Sequence, residues 1–342
     1  MNIISVQALQ TLISQHGLDT FLADLMAQLR TDFSRWGDFT QMPRPAMHVP
    51  GGVIELMPIC DQKYYAFKYV NGHPQNPTNG KQTVIATGQL SRVADGYPIL
   101  LSEMTLLTAL RTAANAALAT DVMARKDARI MAIIGNGAQS EFQVQATRLV
   151  RDITEVRYYD IDPAAMDKFA RNLKGGGFKL VRAKSAEVAV RGADIVTVCT
   201  ACKQHVDVIK DEWVAAGMHI NGLGGDCPGK TEIEQSLLER CQILVEYFEQ
   251  SVIEGEIQRF EPAVARRKIV GELHELLTNK ITVRTSPKDI TLFDSVGIAL
   301  EDYSALCLLQ RLVTQYGVGE VCELIPTPSN PKDLFSLVVA KR

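Results

Sequence analysis

The run Ile130-Met-Ala-Ile-Ile-Gly-Asn-Gly-Ala-Gln-Ser140 decides the fold. Its first five residues are continuously apolar, as a parallel strand covered on both faces requires. The next six turn sharply and open a helix. Gly135 and Gly137 occupy the first two places of a GxGxxG fingerprint, and Ser140 stands at the third. The first glycine permits the tight turn, and the second lets backbone N–H groups approach a pyrophosphate. The third position governs helix–strand packing, where a small serine is tolerable. The helix N-terminus adds the partial positive charge that an anion needs. About twenty residues on, Val156-Arg-Tyr-Tyr-Asp160 ends a second strand in an acid. A carboxylate there accepts hydrogen bonds from the adenosine ribose hydroxyls and repels a 2′-phosphate. Strand, glycine turn, helix and acid together predict NAD as cofactor, preferred over NADP. A strand-end aspartate also serves as a helix cap, a role for which Asp162-Pro163 is equally suited.

Outward from this stretch the pattern alternates. Helices are expected over residues 139–150 and 164–173, and strands over 178–181, 195–198, 218–221, 243–245 and 291–293. A last long helix is expected over 300–316. That alternation predicts an α/β class with a doubly wound, Rossmann-type sheet. Toward the N-terminus the reading is α+β. Residues 6–30 have helical spacing interrupted by Gly17, so two helices are expected. Residues 52–59 and 64–70 are β-rich. Residues 83–92 and 97–103 flank the turn Ala94-Asp95-Gly96 and read as a hairpin. Residues 105–124 contain neither Gly nor Pro and predict a long helix bridging two domains.

Composition narrows the function. At roughly 150 residues per domain, 342 residues make about two. The chain is 46% apolar and 22% charged, which excludes disorder and coiled coil. Lys plus Arg number 36 against 39 Asp plus Glu, a net charge of −3. No global basic character exists to recruit nucleic acid or an anionic membrane. No run approaches the roughly 18 apolar residues of a membrane span, and the N-terminus lacks a secretory pattern. Seven scattered cysteines do not form a disulfide framework, so a reducing cytoplasm is expected. Cys199-Thr-Ala-Cys202 is the only CxxC. With His205 nearby but no second pair, it reads as strand-end thiols, and no metal is expected.

Four charges remain. Lys68 lies inside Tyr65-Ala-Phe-Lys-Tyr-Val-Asn71, and Glu55 inside Gly52-Val-Ile-Glu-Leu-Met57. Arg111 sits in the Ala-rich helix and Arg44 in a Pro-bearing loop. Buried lysines are rare unless paired. Lys68 and Glu55 either pair across strands or belong to a site, and local sequence leaves both open.

With these residues a family comes into view. The set Val53-Ile-Glu-Leu-Met-Pro58, Ala66-Phe-Lys-Tyr-Val-Asn-Gly-His-Pro74, Ala109-Leu-Arg-Thr-Ala-Ala114, Ile134-Gly-Asn-Gly-Ala-Gln-Ser-Glu-Phe142, Gly224-Gly-Asp-Cys-Pro-Gly-Lys-Thr-Glu232, Ile253-Glu-Gly-Glu-Ile257 and Phe293-Asp-Ser-Val-Gly297 resembles the ornithine cyclodeaminase/mu-crystallin family. The runs at 66–74 and 224–232 are similar to its cyclodeaminase branch. The likeness extends to Asp333-Leu-Phe-Ser336.

The resemblance implies two lobes and a homodimer. Residues 1–118 plus 317–342 would form a substrate-binding and dimerisation domain, and 119–316 the NAD-binding domain. It also implies roles. Arg44, Lys68 and Arg111 would hold a substrate α-carboxylate, while Glu55 and Asp226 face amino groups. Thr83, Gly135, Asn136, Gly137, Ala138, Gln139, Asp160, Lys230 and Ser295 would contact the cofactor. The implied reaction turns L-ornithine into L-proline and ammonia. The substrate Cα gives up a hydride, the distal amine closes a five-membered ring on the resulting imine, ammonia leaves, and the hydride returns.

General chemistry agrees with this reading. Forked guanidinium groups suit a carboxylate. Ring closure needs a neutral amine, hence a carboxylate base. Asp226 follows the C-terminal end of a strand, where open α/β sheets bind ligands. Lys68 would anchor the carboxylate or move a proton. A lysine cyclodeaminase, an amino-acid dehydrogenase or ketimine reductase, and a crystallin-like NAD-holding protein are the alternatives. The acid pair Glu55 and Asp226 favours a diamino substrate.

Overall fold

The segment expected to bridge two domains is a helix, Thr105–Met123, buried along almost its whole length. It packs on one large sheet through strand Val84–Arg92 and on another through His219–Gly222 and Thr291–Asp294. The computed structural model describes residues 1–201 and 205–339.

The first sheet is built mainly of antiparallel neighbours. Pro98–Glu103, Val84–Arg92, Tyr64–Gly72 and Gly52–Cys60 follow one another, with Asn2–Ile4 and Glu320–Val321 extending one edge. Side chains alternate between the faces of a strand. Val53, Glu55, Met57 and Ile59 therefore share the covered face with Ala66, Lys68 and Val70. In the register Met57 stands opposite Lys68 and Val70 opposite Glu55. Glu55 and Lys68 are thus not cross-strand partners, and each is paired elsewhere.

The second sheet is wholly parallel. Its strand order is Lys179–Arg182, Glu155–Tyr159, Ile130–Ile134, Ile195–Val198, His219–Gly222, Thr291–Asp294, Gln242–Val245 and Ile269–Glu272. Strand order reverses between Ile130–Ile134 and Ile195–Val198, the crevice where such sheets take ligands. The helix expected over 139–150 is Ser140–Thr147. The edge strand Ile269–Glu272 is not among the strands expected from the sequence. Nor are His205–Ile209 and Thr231–Ile233, which pair with each other in a separate two-stranded sheet, or the short strands Asn2–Ile4, Thr40–Gln41, Ala46–Val49 and Glu320–Val321 of the first sheet.

One boundary needs correction. Chain order places helix Ala299–Tyr316 in the expected nucleotide-binding segment 119–316, but the helix packs against helix Leu18–Ser34 and the antiparallel sheet. Leu300, Leu306, Leu308, Leu309 and Leu312 share a core with Leu25, Leu29, Leu90 and Leu100. Apolar burial draws this late segment back to the first lobe, so the lobes part before residue 299 rather than after 316. No helix among the described residues is long and apolar enough to cross a membrane.

Candidate active site

Between the lobes lies a cavity of about 490 Å³. Arg44, Glu55, Lys68, Thr83 and Arg111 line it from the first lobe, and Gly137, Ala138, Gln139, Asp226, Lys230 and Ser295 from the second. Of the expected residues, Gly135, Asn136 and Asp160 are not on its wall.

Backbone geometry shapes the nucleotide end. Gly135 has φ +92°, and a Cβ there would sit 2.8 Å from the carbonyl carbon and oxygen of Cys199, just past the end of the adjacent strand. No other residue fits that approach. At Gly137 a Cβ would meet nothing within 4 Å, so its backbone is open to a ligand. Ser140 donates its hydroxyl to the Gly137 carbonyl at 2.9 Å, closing the turn at the fingerprint's third place. Asp160 accepts the backbone N–H of Asn136 at 2.5 Å and of Asp162 at 2.8 Å. The helix cap is Asp162, which accepts from Ala164 N at 2.9 Å. Asn136 is buried, and neither its amide nitrogen nor its oxygen has a hydrogen-bond partner among the described residues. An open glycine, a helix N-terminus and an unsatisfied buried amide fit a dinucleotide phosphate.

Buried ions make up the other end. Lys68 donates to Asp302 Oδ1 at 2.8 Å, with both side chains 1% exposed. Arg111 Nη1 donates to Glu301 Oε2 at 2.5 Å, and its Nε lies 3.2 Å from Asp302 Oδ1. Arg44 spans the cleft. Its Nε is 3.3 Å from Glu55 Oε1, and its Nη2 pairs with Glu254 Oε2 at 2.7 Å and donates to the Asp226 carbonyl at 2.8 Å. Burial and the neighbouring Arg111 push the Lys68 ammonium down to about 8, against the pull of Asp302.

At the rim, Asp226 is half exposed. Its Oδ1 accepts from Lys230 Nζ at 3.2 Å, and Lys230 also donates to the Thr200 carbonyl at 3.0 Å. Beneath the Gly224-Gly225 turn lies Glu232, which accepts the Thr200 hydroxyl. Burial pushes its carboxyl up to about 7, with Lys230 opposing. Glu246 secures the opposite wall, accepting from Ser295 Oγ, Asn115 Nδ2 and the backbone N–H groups of Val296 and Gly297. Burial holds the Glu246 carboxyl well above the usual carboxylate range, and Glu301 adds to this.

Sequence reasoning missed Glu232, Glu246, Glu254, Glu301 and Asp302. The last two stand in the first turn of helix Ala299–Tyr316, where acids are common whether exposed or buried, so nothing in the local sequence set them apart. Cys199 donates its thiol to the Gly135 carbonyl at 3.2 Å, whereas Cys202 lies outside the described residues. His205 pairs with the Thr231 hydroxyl at 2.9 Å. No cluster of three or more metal-ligating side chains forms among the described residues.

Comparison with known proteins follows this geometry. A model of the ornithine cyclodeaminase/mu-crystallin family matches residues 7–315. The ornithine cyclodeaminase of Agrobacterium tumefaciens (strain Ach5) is 48% identical over 336 residues, covering 98% of this chain and 93% of its own length. A solved lysine cyclodeaminase, described as recognising L-lysine, L-ornithine and L-2,4-diaminobutyric acid, superposes with a TM-score of 0.92 at 26% identity, over 98% of this chain and 99% of that one. An archaeal alanine dehydrogenase, described as a dimer with bound NAD, superposes with a TM-score of 0.86 at 30% identity, over 95% of this chain and 99% of that one.

Proposed function

The chain belongs to the ornithine cyclodeaminase/mu-crystallin family, and on that premise we propose that it converts L-ornithine to L-proline and ammonia, with NAD as a recycled cofactor. The observation that carries this reading is the single cavity shared by the glycine turn, the buried cations and Asp226. Bound against Gly137, Ala138, Gln139, Thr83, Lys230 and Ser295, with Gly135, Asn136 and Asp160 behind them, NAD supplies an acceptor for the Cα hydride and a donor for the cyclic imine.

The chain's own residues do the rest. Arg44, Lys68 and Arg111 hold the α-carboxylate, the two arginines through planar forks. Lys68, with a pKa of about 8, is mostly charged at neutral pH and close enough to neutrality to pass a proton. Glu55, steadied by Arg44, faces an amino group. Asp226 takes a proton from the distal ammonium and frees the lone pair that closes the ring. Lys230 on its carboxylate and Arg44 on its carbonyl keep that base at the cavity rim.

The reading includes a homodimer in the cytoplasm. Met47, Leu56, Tyr65 and Ile85 are exposed on the antiparallel sheet, an apolar set that suits a second copy. The test is incubation with ornithine and substoichiometric NAD, measuring proline, ammonia and NADH together. Equal proline and ammonia without accumulating NADH is the expected result. Accumulating NADH would assign a dehydrogenase. Pipecolate formed faster from lysine would assign the lysine enzyme, and NAD retained without turnover a binding protein.

A further inference from the structure

Lys68 and Arg111 line one wall of the cavity, and two cations placed together away from water need a counter-charge. That charge comes from behind the wall. Asp302 belongs to the first turn of helix Ala299–Tyr316, is 1% exposed and does not line the cavity. Its Oδ1 serves both cations, at 2.8 Å from Lys68 Nζ and 3.2 Å from Arg111 Nε. Its Oδ2 is buried without a hydrogen-bond partner among the described residues. Glu301, its neighbour in sequence, binds Arg111 through Nη1 and accepts the Ile298 N–H, which ties this pair of acids to the helix start.

We propose that Asp302 is a positioning residue for the reaction: one buried carboxylate oxygen holds Lys68 and Arg111 side by side and keeps Lys68 charged for the substrate's α-carboxylate. The inference rests on the reading of those two cations as carboxylate holders. A purely structural ion pair explains the arrangement less well. Well-packed apolar residues are often as stable as a buried pair, and here one oxygen is left unsatisfied.

The groups facing Lys68 set the sign of the pH effect. Burial, Arg111 and Arg44 all favour the neutral amine, and Asp302 opposes them, leaving a pKa of about 8. Carboxylate binding needs the ammonium. It is therefore at full strength at lower pH and weakens as pH rises through about 8. Without the Asp302 charge, burial and the two guanidinium groups act unopposed. The transition then moves down by on the order of one to three pH units.

The experiment measures the KM for ornithine in the NAD-loaded enzyme between about pH 5.5 and about pH 9, spanning that transition. Stabilisation against heat by L-proline in the presence of NAD provides a readout free of turnover. Wild type, Asp302→Asn and Lys68→Met are compared, so the substrate's own titration is common to all. The expected result is a KM rise in Asp302→Asn displaced to lower pH, with near-normal KM once the pH is low enough to recharge Lys68. Lys68→Met should show a high KM without that transition. An Asp302→Asn transition at the wild-type pH, or a KM raised equally at every pH, overturns the role of Asp302. An unchanged KM in Lys68→Met overturns the underlying reading of the site instead. Should Asp302→Asn fail to fold, Asp302→Glu, which retains the charge, is expected to keep the wild-type transition, and a displaced one there overturns the proposal.

Discussion

The two ends of the cavity are made of different material. The nucleotide end is backbone: a glycine pressed against the Cys199 carbonyl, an open Gly137, a helix start and an acid on the next strand. The other end, proposed to take the substrate, is side chain: three buried cations, each held by carboxylates from elsewhere in the chain. Backbone built this way is rigid and tolerates few residue types, but carries little charge of its own. On the proposed reading the ion cluster supplies the charge that discriminates a substrate, and every member depends on another. Variants at the two ends should therefore fail in different ways.

The largest effect is expected where the ends meet. Asp226→Asn should lower proline formation by about 10²–10⁴-fold while NAD affinity stays near wild type. Single-turnover absorbance with proline quantification measures the first, and a titration of NAD binding the second. If hydride transfer proceeds without the base, NADH appears and persists. A parallel loss of NAD binding would show that the two ends are not separable at this residue.

A smaller effect is expected inside the ion cluster. Arg111→Lys keeps the charge but cannot reach Glu301 and Asp302 together. It should lose a charged hydrogen bond of about 1.5–3 kcal/mol, or roughly 10- to 150-fold in kcat/KM. Steady-state kinetics with saturating NAD checks this, and wild-type values would remove Arg111 from the site.

The smallest effects come from a pair of alanines at the backbone end. Gly137→Ala should leave stability unchanged, because its Cβ meets nothing, but weaken NAD by roughly tenfold, about 1.4 kcal/mol. Gly135→Ala forces a Cβ onto the Cys199 carbonyl at positive φ and should cost about 1–3 kcal/mol of stability, read by denaturant unfolding. Equal behaviour of the two would mean that the turn is not divided into a packing glycine and a ligand glycine.

Legibility in the sequence follows the same division. Strand, glycine turn, helix and Asp160 lie within one continuous stretch, so local spacing predicted them, and the doubly wound sheet with them. Lys68 and Glu55 stood out because they interrupt apolar strands, yet their partners could not be read from the strands. The cross-strand pairing considered for them gives way to Asp302 and Arg44. The family likeness, not spacing, linked Arg44 and Asp226 to the same site. Asp302 and Glu301 looked like ordinary first-turn acids, because helix starts favour acids whether exposed or buried. The lobe assignment of Ala299–Tyr316 failed for a related reason. Chain order suggested the nearer lobe, while apolar packing selected the farther one.

Helix Ala299–Tyr316 has a consequence for how the protein is made. Lys68 leaves the ribosome 234 residues before its counter-ion, and Arg111 190 residues before Glu301. Throughout that interval the growing chain carries cations bound for the interior with nothing yet to neutralise them. The antiparallel lobe is therefore expected to stay unsealed as it emerges, with its charged wall in contact with water until the last helix arrives. Contacts this distant in sequence slow folding. Refolding should accordingly gain the parallel sheet before the substrate wall, with the carboxylate-holding end the last part of the molecule to form.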